Sequence, residues 1–287
     1  MTPRLGVIVL TYNEEVHIER CIASVSSAAS CIYVVDSGSE DRTVSLARAR
    51  GGVVAERKWD NYSKQFQFAI DTFPEPVDWI LRLDADEYVD TVFNRTVLDF
   101  LGSQAAAVGG VEVRRKMMFL GRWIRHGGMH PLWMCRLWRS GMGRIEDRWM
   151  DEHMIVEGGS VVRFPGSITD ENLRGLAFWT AKHNSYSDRE VLDIIGDTSG
   201  SSDRKLHGQA GLKRKLKGLY LSLPPGLRAL CYWFYRYFFL LGFLDGTPGF
   251  FYHLFQALWY RSLVDAKLLE RKLKAEQLSG LSGERFG

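Results

Sequence analysis

The segment LGVIVLTYNEE, residues 5–15, joins a short apolar run to a polar cluster, and this junction decides the fold. A continuous run of aliphatic and β-branched residues from Val7 to Leu10 is typical of a buried strand in a parallel sheet. The apolar spacing that follows, from Glu14 to Ser26, predicts a helix. These residues therefore predict a strand, a polar turn and a helix in succession.

The same alternation continues over the first 90 residues. Further strands are predicted at residues 31–35, 53–55 and 79–83, and helices at 43–50 and 63–72. This pattern predicts an α/β fold with a Rossmann-like, mostly parallel central sheet flanked by helices. Beyond Glu87 we expect strands of mixed direction at 108–116, 132–138 and 161–164, and a long helix at 172–195.

The composition of the chain excludes several classes of protein. Of 287 residues, 46% are hydrophobic and 25% are charged, which is ordinary for a folded protein and excludes a disordered chain. The four cysteines form no C-x-x-C pair, which argues against a zinc ribbon and a disulfide scaffold. A net charge of +3 is weak evidence for nucleic acid binding, so we expect no nucleic acid partner.

Three polar clusters follow predicted strands, at residues 11–15, 36–39 and 84–87. Open parallel sheets bind ligands at the carboxyl ends of their strands. The absence of a G-x-G-x-x-G or Walker motif disfavours dinucleotide dehydrogenases and P-loop NTPases. Asp36 could accept hydrogen bonds from a base N–H group or a ribose hydroxyl, although a polar loop after a strand is more often a solvated turn.

The Asp84-Ala85-Asp86 motif is a candidate metal site. Two carboxylates two residues apart at a strand end can reach one divalent ion, and their hard oxygen atoms suit Mg²⁺ or Mn²⁺ shared with a phosphate group. The alternative is a pair of capping or turn aspartates, and a D-x-D motif by itself favours that alternative.

A second candidate site lies in the segment 121–139, which is rich in Arg, His and Trp. Aromatic faces stack on sugars, and guanidinium groups bind phosphate or carboxylate. We predict an acceptor or diphosphate site that includes Arg125, His126 and Arg136. The alternative is a set of surface arginines with core tryptophans.

Taken together and in order, the motifs TYNEE, VVDSGSEDRT and LRLDADE resemble the nucleotide-binding half of glycosyltransferase family 2, which has the GT-A fold. Residues 119–128, 136–139, 149–154, 181–186 and 242–246 are similar to bacterial lipopolysaccharide-core and exopolysaccharide members of that family. The resemblance implies a catalytic domain at 1–195, with a nucleotide-binding half at 1–90 and an acceptor half at 91–195.

The resemblance also implies roles for individual residues. The nucleotide, most simply uridine, would contact Thr11, Tyr12, Asn13, Glu15, Asp36, Ser37, Lys64, Asp84 and Ala85. Asp84 and Asp86 would hold a divalent cation, Mn²⁺ or Mg²⁺. His153 could be a third ligand, could orient the diphosphate, or could be a hydrogen-bonded wall residue. Glu152 would be the catalytic base. Asp151 is the second candidate, because the family more often has a histidine before this glutamate and an aspartate there could also act as a base.

The implied reaction is metal-assisted, inverting transfer of one sugar from a nucleotide sugar, such as a UDP-hexose, to a lipid-linked envelope glycan. The acceptor would be a lipopolysaccharide core or a polyprenyl-diphosphate oligosaccharide. A sugar nucleotidyltransferase is the second enzyme hypothesis. It would need a Gly-rich loop with a basic residue after the first strand, and the residues at 11–14 offer neither. An inactive nucleotide-sugar-binding membrane scaffold is the third, and the presence of Asp84, Asp86 and Glu152 argues against it.

The C-terminal part of the chain predicts a membrane-associating helical region at 203–274, followed by a flexible tail at 275–287. Six Lys and Arg residues and no acid occur within 204–217, next to an aromatic, apolar run at 219–244. This combination is typical of a membrane surface, and Arg236 within the run argues against a simple span. Two alternatives stay open for these aromatic helices: they could insert into the bilayer, or they could form a protein interface, including that of a homo-oligomer.

No signal peptide is recognisable in the sequence, because the first apolar run is too short. We therefore expect a cytoplasmic protein attached peripherally to the cytoplasmic leaflet of the inner membrane.

Overall fold

A computed structural model describes residues 2–146, 154–197 and 223–283. The chain divides into two compact units, Met1–Gly175 and Leu176–Gly287. The predicted catalytic base residues, Asp151 and Glu152, and the predicted ligand His153 lie outside the described residues. So does the basic segment at 204–217.

The first unit alternates strands and helices. Its strands are β1 (Leu5–Thr11), β2 (Cys31–Asp36), β3 (Val53–Glu56), β4 (Trp79–Asp84), β5 (Glu87–Val89), β6 (Val108–Phe119), β7 (Arg122–Ile124), β8 (Leu132–Arg139), β9 (Gly143–Ile145), β10 (Met154–Val156) and β11 (Ser160–Asp170). Its helices are α1 (Ile18–Val25), α2 (Thr43–Ala49), α3 (Tyr62–Asp71) and α4 (Thr91–Gly102).

Nine of the described strands form one sheet in the order β3-β2-β1-β4-β8-β6-β11-β5, with β7 paired to β6. Strands β3, β2, β1 and β4 run parallel, and β8 is antiparallel to both of its neighbours. Strand β5 follows β4 almost directly in the chain but pairs with β11. The sheet therefore curls. The α/β fold class is confirmed, with a central sheet that is parallel over β3, β2, β1 and β4 and mixed in direction beyond β4.

The two faces of the sheet have separate cores because successive strand residues point to opposite sides. On one face, Val7 and Val9 pack with Ile22 of α1 and Val97 of α4. On the other face, Ile8, Tyr33 and Trp138 pack with Phe66 of α3. Burial on both faces explains why the first strands are continuous apolar runs rather than alternating ones.

Several predicted boundaries are wrong by a few residues, for local reasons. The helix predicted from Glu14 begins at Ile18 and is preceded by a turn, in which the Glu14 carbonyl accepts the N–H groups of His17 and Ile18, both at 2.9 Å. The helix predicted from Asn172 begins at Gly175, because Asn172 Oδ1 accepts the N–H of Arg174 in an Asx turn. The strand predicted to end at Phe164 continues to Asp170 after a register shift around Pro165.

The second unit is helical, which confirms the C-terminal helical extension. Its described helices are α5 (Gly175–Asp197), α6 (Leu227–Phe234), α7 (Gly246–His253) and α8 (Tyr260–Gly283), with π-helical turns at Tyr235–Phe239 and Leu254–Trp259 and a 3₁₀ turn at Gly242–Asp245. Val191 of α5 packs on Tyr260 and Val264 of α8. Among the described helices, none combines the length and the apolar character that a membrane span requires.

Candidate nucleotide site at the strand ends

The register of the parallel strands brings the three polar clusters together. Thr11 pairs with Asp36, and Leu10 pairs with Asp84. The carboxyl ends of β2, β1 and β4 therefore lie side by side. This is the edge of a parallel sheet at which ligands bind.

Asp36 is buried and holds the turn that follows β2. Its Oδ1 accepts the Thr11 hydroxyl at 2.8 Å and the Ser39 hydroxyl at 2.6 Å. Its Oδ2 accepts the backbone N–H groups of Gly38 and Ser39, at 2.9 and 2.7 Å. Because both carboxylate oxygens are engaged in this turn, Asp36 shapes the loop directly.

Asn13 and Glu15 connect the loop after β1 to the loop after β2. Asn13 has a positive φ of 54°, and its side-chain oxygen accepts the N–H of Glu40 at 2.8 Å. Glu15 Oε2 accepts from the backbone N–H and Nε of Arg42. Tyr12 between them is exposed. The predicted nucleotide residues therefore form one linked pair of loops with an exposed aromatic ring.

Ser37 and Lys64 lie near the same loops but in different surroundings. Ser37 Oγ accepts a hydrogen bond from Gln65 of α3 at 3.1 Å, so this helix is tied to the loop after β2. Lys64 is exposed, and its ammonium group lies 2.7 Å from Asp60. A role of Lys64 at the nucleotide stays a prediction.

Asp84 ends β4 among positive charges and a phenol. Its Oδ1 accepts the Tyr62 hydroxyl at 3.1 Å, and its Oδ2 lies 3.2 Å from Arg136 Nη2. Burial opposes ionisation of Asp84, but Arg136, Arg82 and Arg115 hold its pKa well below the usual range. Burial raises the pKa of Tyr62, so the phenol stays protonated and donates. Asp84 is therefore a carboxylate whose orientation is fixed.

Two further residues complete this arrangement. Glu87 is buried, and it accepts from Arg136 Nη2 at 2.7 Å and from the N–H of Asp84 at 3.0 Å. Burial and the Asp84 charge raise the pKa of Glu87. Sequence reasoning missed the positioning role of Glu87, although its place directly after Asp86 was a signal. Arg136 is buried, which indicates that it positions the Asp84 carboxylate. Its Nη1 atom has no hydrogen-bond partner among the described residues.

Asp86 lies at the end of the cluster beside the loop that follows β11. Its Oδ2 accepts from Asn172 Nδ2 at 3.2 Å, and its carbonyl accepts from Arg20 at 3.2 Å. Arg20 also binds Glu171 at 2.6 Å. The buried His17 accepts the N–H of Leu173 at 2.8 Å and so fixes the same loop. Sequence reasoning did not find these supporting residues, because they lie more than 60 residues away in the chain.

The donor chemistry of Asp86 fits Mg²⁺ or Mn²⁺. Its side chain is a hard oxygen ligand that is only partly buried at the ligand edge of the sheet. Each carboxylate oxygen of Asp84 already accepts one hydrogen bond, from Tyr62 or from Arg136. In the described part of the chain, no group of three or more His, Cys, Asp or Glu side chains is arranged to hold a metal ion.

Arg125 and His126 lie in the turn after β7, away from the strand-end cluster in sequence. The Arg125 guanidinium stacks over Trp123, 4.6 Å from the ring centroid, and the carbonyl of His126 accepts from the N–H of Met129 at 3.3 Å. Gly127 and Gly128 both have positive φ values, so this turn uses the freedom of glycine. A contact of Arg125 or His126 with an acceptor stays a prediction.

The comparisons with known proteins agree on one family. The family model described as Glycosyl transferase family 2 matches residues 6–165. Lipopolysaccharide core biosynthesis glycosyltransferase LpsC of Rhizobium meliloti (strain 1021) is 28% identical over 202 residues, which are 65% of this chain and 71% of that protein. An uncharacterized glycosyltransferase of Rickettsia typhi, RT0209, is 25% identical over 279 residues, which are 96% of this chain and 90% of that protein.

Among solved structures, a crystal structure of glucosyl-3-phosphoglycerate synthase from Mycobacterium tuberculosis with Mn²⁺, UDP and glucosyl-3-phosphoglycerate is similar, with a TM-score of 0.33 and 20% identity. The match covers 40% of this chain and 44% of that one, so it spans less than half of either protein.

Proposed function

The chain belongs to glycosyl transferase family 2 and is a glycosyltransferase, and from this premise we propose its substrates and mechanism. The donor is a nucleotide sugar, UDP-linked, and the acceptor is a lipid-linked envelope glycan. The printed name of LpsC, a lipopolysaccharide core enzyme, supports an acceptor of this class. Family membership favours transfer over the nucleotidyltransferase and inactive-scaffold hypotheses.

The observation that carries the donor proposal is the meeting of Thr11, Asp36 and Asp84 at adjacent strand ends. We propose that the loops held by Asp36 and Asn13 form the nucleoside pocket, with Tyr12 as its exposed aromatic wall. Asp84 is kept ionised and oriented by Arg136, so it can accept hydrogen bonds from the nucleotide without rearrangement.

We propose Asp86 as a protein ligand of a divalent cation, with Asp84 and His153 as further ligands. When bound, the cation would offset the charge that develops on the leaving diphosphate. Asn172 and the loop at Glu171 would keep the Asp86 carboxylate in one orientation, because Asn172 donates to Oδ2.

The proposed catalytic base is Glu152, with Asp151 as the second candidate. In an inverting transfer, one carboxylate on the face opposite the leaving group takes the proton of the acceptor hydroxyl. The hydroxyl oxygen forms the new bond to the anomeric carbon while the bond to the diphosphate breaks. A single base therefore suffices for this reaction.

We propose that the second unit attaches to the cytoplasmic leaflet, where a lipid-linked acceptor resides. Within residues 223–253 the charged residues Arg228, Arg236 and Asp245 are all buried. Large apolar side chains are exposed in the same stretch, namely Leu227, Leu230, Phe234, Tyr235, Phe238, Phe239, Leu241, Phe243, Leu244 and Phe251. Buried charge with exposed aromatic residues is the arrangement that an apolar solvent favours.

Calorimetric titration of UDP, GDP and CMP, with and without Mn²⁺, tests the donor proposal. We expect selective, metal-dependent UDP binding that is lost in Asp86→Asn. The matched control is Asp99→Asn, which changes an exposed aspartate of α4. Preference for GDP would redirect the donor class, and a folded protein that binds none of the three nucleotides would overturn the proposal.

A further inference from the structure

One face of the sheet carries a cluster of cations and tryptophans. Residues two apart on a strand share a face, and so do residues paired across strands. Arg114 pairs with Trp133, and Met118 pairs with Trp123. Arg114, Lys116 and both tryptophans therefore lie on the same face of β6 and its neighbours.

Trp123 is the centre of this cluster. Lys116 Nζ lies 5.4 Å and Arg125 Cζ lies 4.6 Å from its ring centroid, and the His130 ring lies edge-on at 5.0 Å. The buried Trp123 Nε1 and His130 Nδ1 atoms make no hydrogen bond to any residue that the structure describes. A buried N–H group without an acceptor is costly, so a ligand oxygen beside Trp123 would be stabilising.

The charge around His130 is strongly positive. Burial lowers the pKa of His130, and Arg114, Lys116 and Arg125 lower it further. Lys116 pairs with Asp90 at 3.0 Å. Arg114 binds the carbonyl of Pro165 and lies over Trp133 rather than pairing with an acid among the described residues. Counting Arg114, Lys116 and Asp90 among the described residues, positive charge exceeds negative charge next to the flat Trp123 ring.

We infer that this cluster, formed by Arg114, Lys116, Trp123, Arg125 and His130, binds a phosphate or carboxylate group on the sugar acceptor. The acceptor is then an acidic saccharide, with the oxyanion held by the cations and the indole N–H and the sugar ring against tryptophan. This inference rests on the proposed function. The donor diphosphate is the other source of the same anionic chemistry, and the experiment separates the two.

The test uses the full chain labelled with ¹⁵N in the tryptophan indole groups, with Trp123→Phe to assign the Trp123 signal. Glucose 6-phosphate should shift that signal in a saturable way, and glucose at equal concentration should not. Lys116→Gln or Arg125→Gln should weaken glucose 6-phosphate binding about tenfold. The control Arg144→Gln, which changes an exposed arginine paired with Glu157 outside the cluster, should change it less than about twofold.

UDP affinity, measured on the same variants, should stay unchanged. A parallel loss of UDP affinity in Arg125→Gln would assign the cluster to the donor diphosphate and overturn the inference. Equal binding of inorganic phosphate and glucose 6-phosphate, or no shift at all, would also overturn it. Failure of the proposed function can be told apart from failure of this inference. In the first case the wild-type protein would bind no UDP, whether or not glucose 6-phosphate shifts the Trp123 signal.

Discussion

Arg136 donates a hydrogen bond of 2.7 Å to Glu87, and both side chains are buried beneath the strand-end site. The same nitrogen lies 3.2 Å from Asp84, so one guanidinium group contacts two carboxylates. Removing one partner from a buried ion pair leaves uncompensated charge in a medium of low dielectric constant. Arg136 therefore stabilises the fold and keeps Asp84 ready for a ligand.

Replacement of this guanidinium should be strongly destabilising. We expect Arg136→Met to lower the free energy of unfolding by about 3–5 kcal/mol in urea denaturation. The matched control is Arg144→Met, because Arg144 pairs with Glu157 on the exposed surface. That variant should lose less than about 1 kcal/mol. Equal losses in the two variants would contradict a special role for the buried pair.

The turn held by Asp36 should depend on an acceptor at both side-chain oxygens. In Asp36→Asn the amide oxygen can still accept the N–H groups of Gly38 and Ser39, but an NH₂ group replaces the acceptor of the Thr11 and Ser39 hydroxyls, and the negative charge is lost. We expect a loss of about 2 kcal/mol in stability together with weaker UDP binding. Thr11→Val removes one hydrogen bond and should lose about 1 kcal/mol. Glu40→Gln, at an exposed position of the same loop, is the control and should behave as wild type. Wild-type stability in Asp36→Asn would contradict this role of Asp36.

The stability of the second unit should fall in mild acid because of His183. This ring stacks on Trp179 with centroids 3.5 Å apart, and burial, together with Lys182, lowers its pKa. The unfolded chain, with an ordinary histidine pKa of about 6.5, then takes up the proton first as the pH falls. The free energy of unfolding should decrease from about pH 7.5 to about pH 5, and this slope should be shallower in His183→Phe. An identical slope in both proteins would show that His183 does not contribute.

The strand-end site could be predicted because it depends on local patterns. Apolar runs identify the strands, and parallel pairing then places Thr11, Asp36 and Asp84 at one edge without knowledge of any distant contact. The partners of Asp84 could not be predicted in this way. Arg136 reaches Glu87 only because β8 inserts antiparallel beside β4, and no periodicity in the sequence specifies that neighbour.

The limits of the helical and strand predictions have a similar cause. A local turn precedes both α1 and α5, since the Glu14 carbonyl accepts the N–H groups of His17 and Ile18 and the Asn172 side chain closes a turn before Gly175. Pro165 interrupts the strand pattern, but the register shift lets β11 continue past it. Where a helix begins or a strand ends thus depends on tertiary partners or local hydrogen bonds, which hydrophobic spacing does not encode.

Glu152 and Asp151 should differ in their effect on transfer. Loss of a general base lowers the rate by about 10²–10⁴, so we expect Glu152→Gln to lower sugar transfer from UDP-sugars to lipid extracts by that factor while UDP binding is kept. Asp151→Asn serves as the matched control and should have the smaller effect. The reverse order would assign the base to Asp151, and full activity in both variants would exclude this acidic pair.

The exposed aromatic surface of the second unit should bind lipid vesicles. We expect the full chain to sediment with vesicles of phosphatidylethanolamine and phosphatidylglycerol, because burial of side chains such as Phe239 in the leaflet removes apolar area from water. Phe239→Glu combined with Leu244→Glu should weaken this binding at least about tenfold, since a carboxylate is costly in the interface. Leu273→Glu, at an exposed leucine of α8 outside this surface, should bind as wild type. If the double variant keeps its vesicle binding but dissociates a dimer in sedimentation analysis, the surface is an interface between copies of the chain.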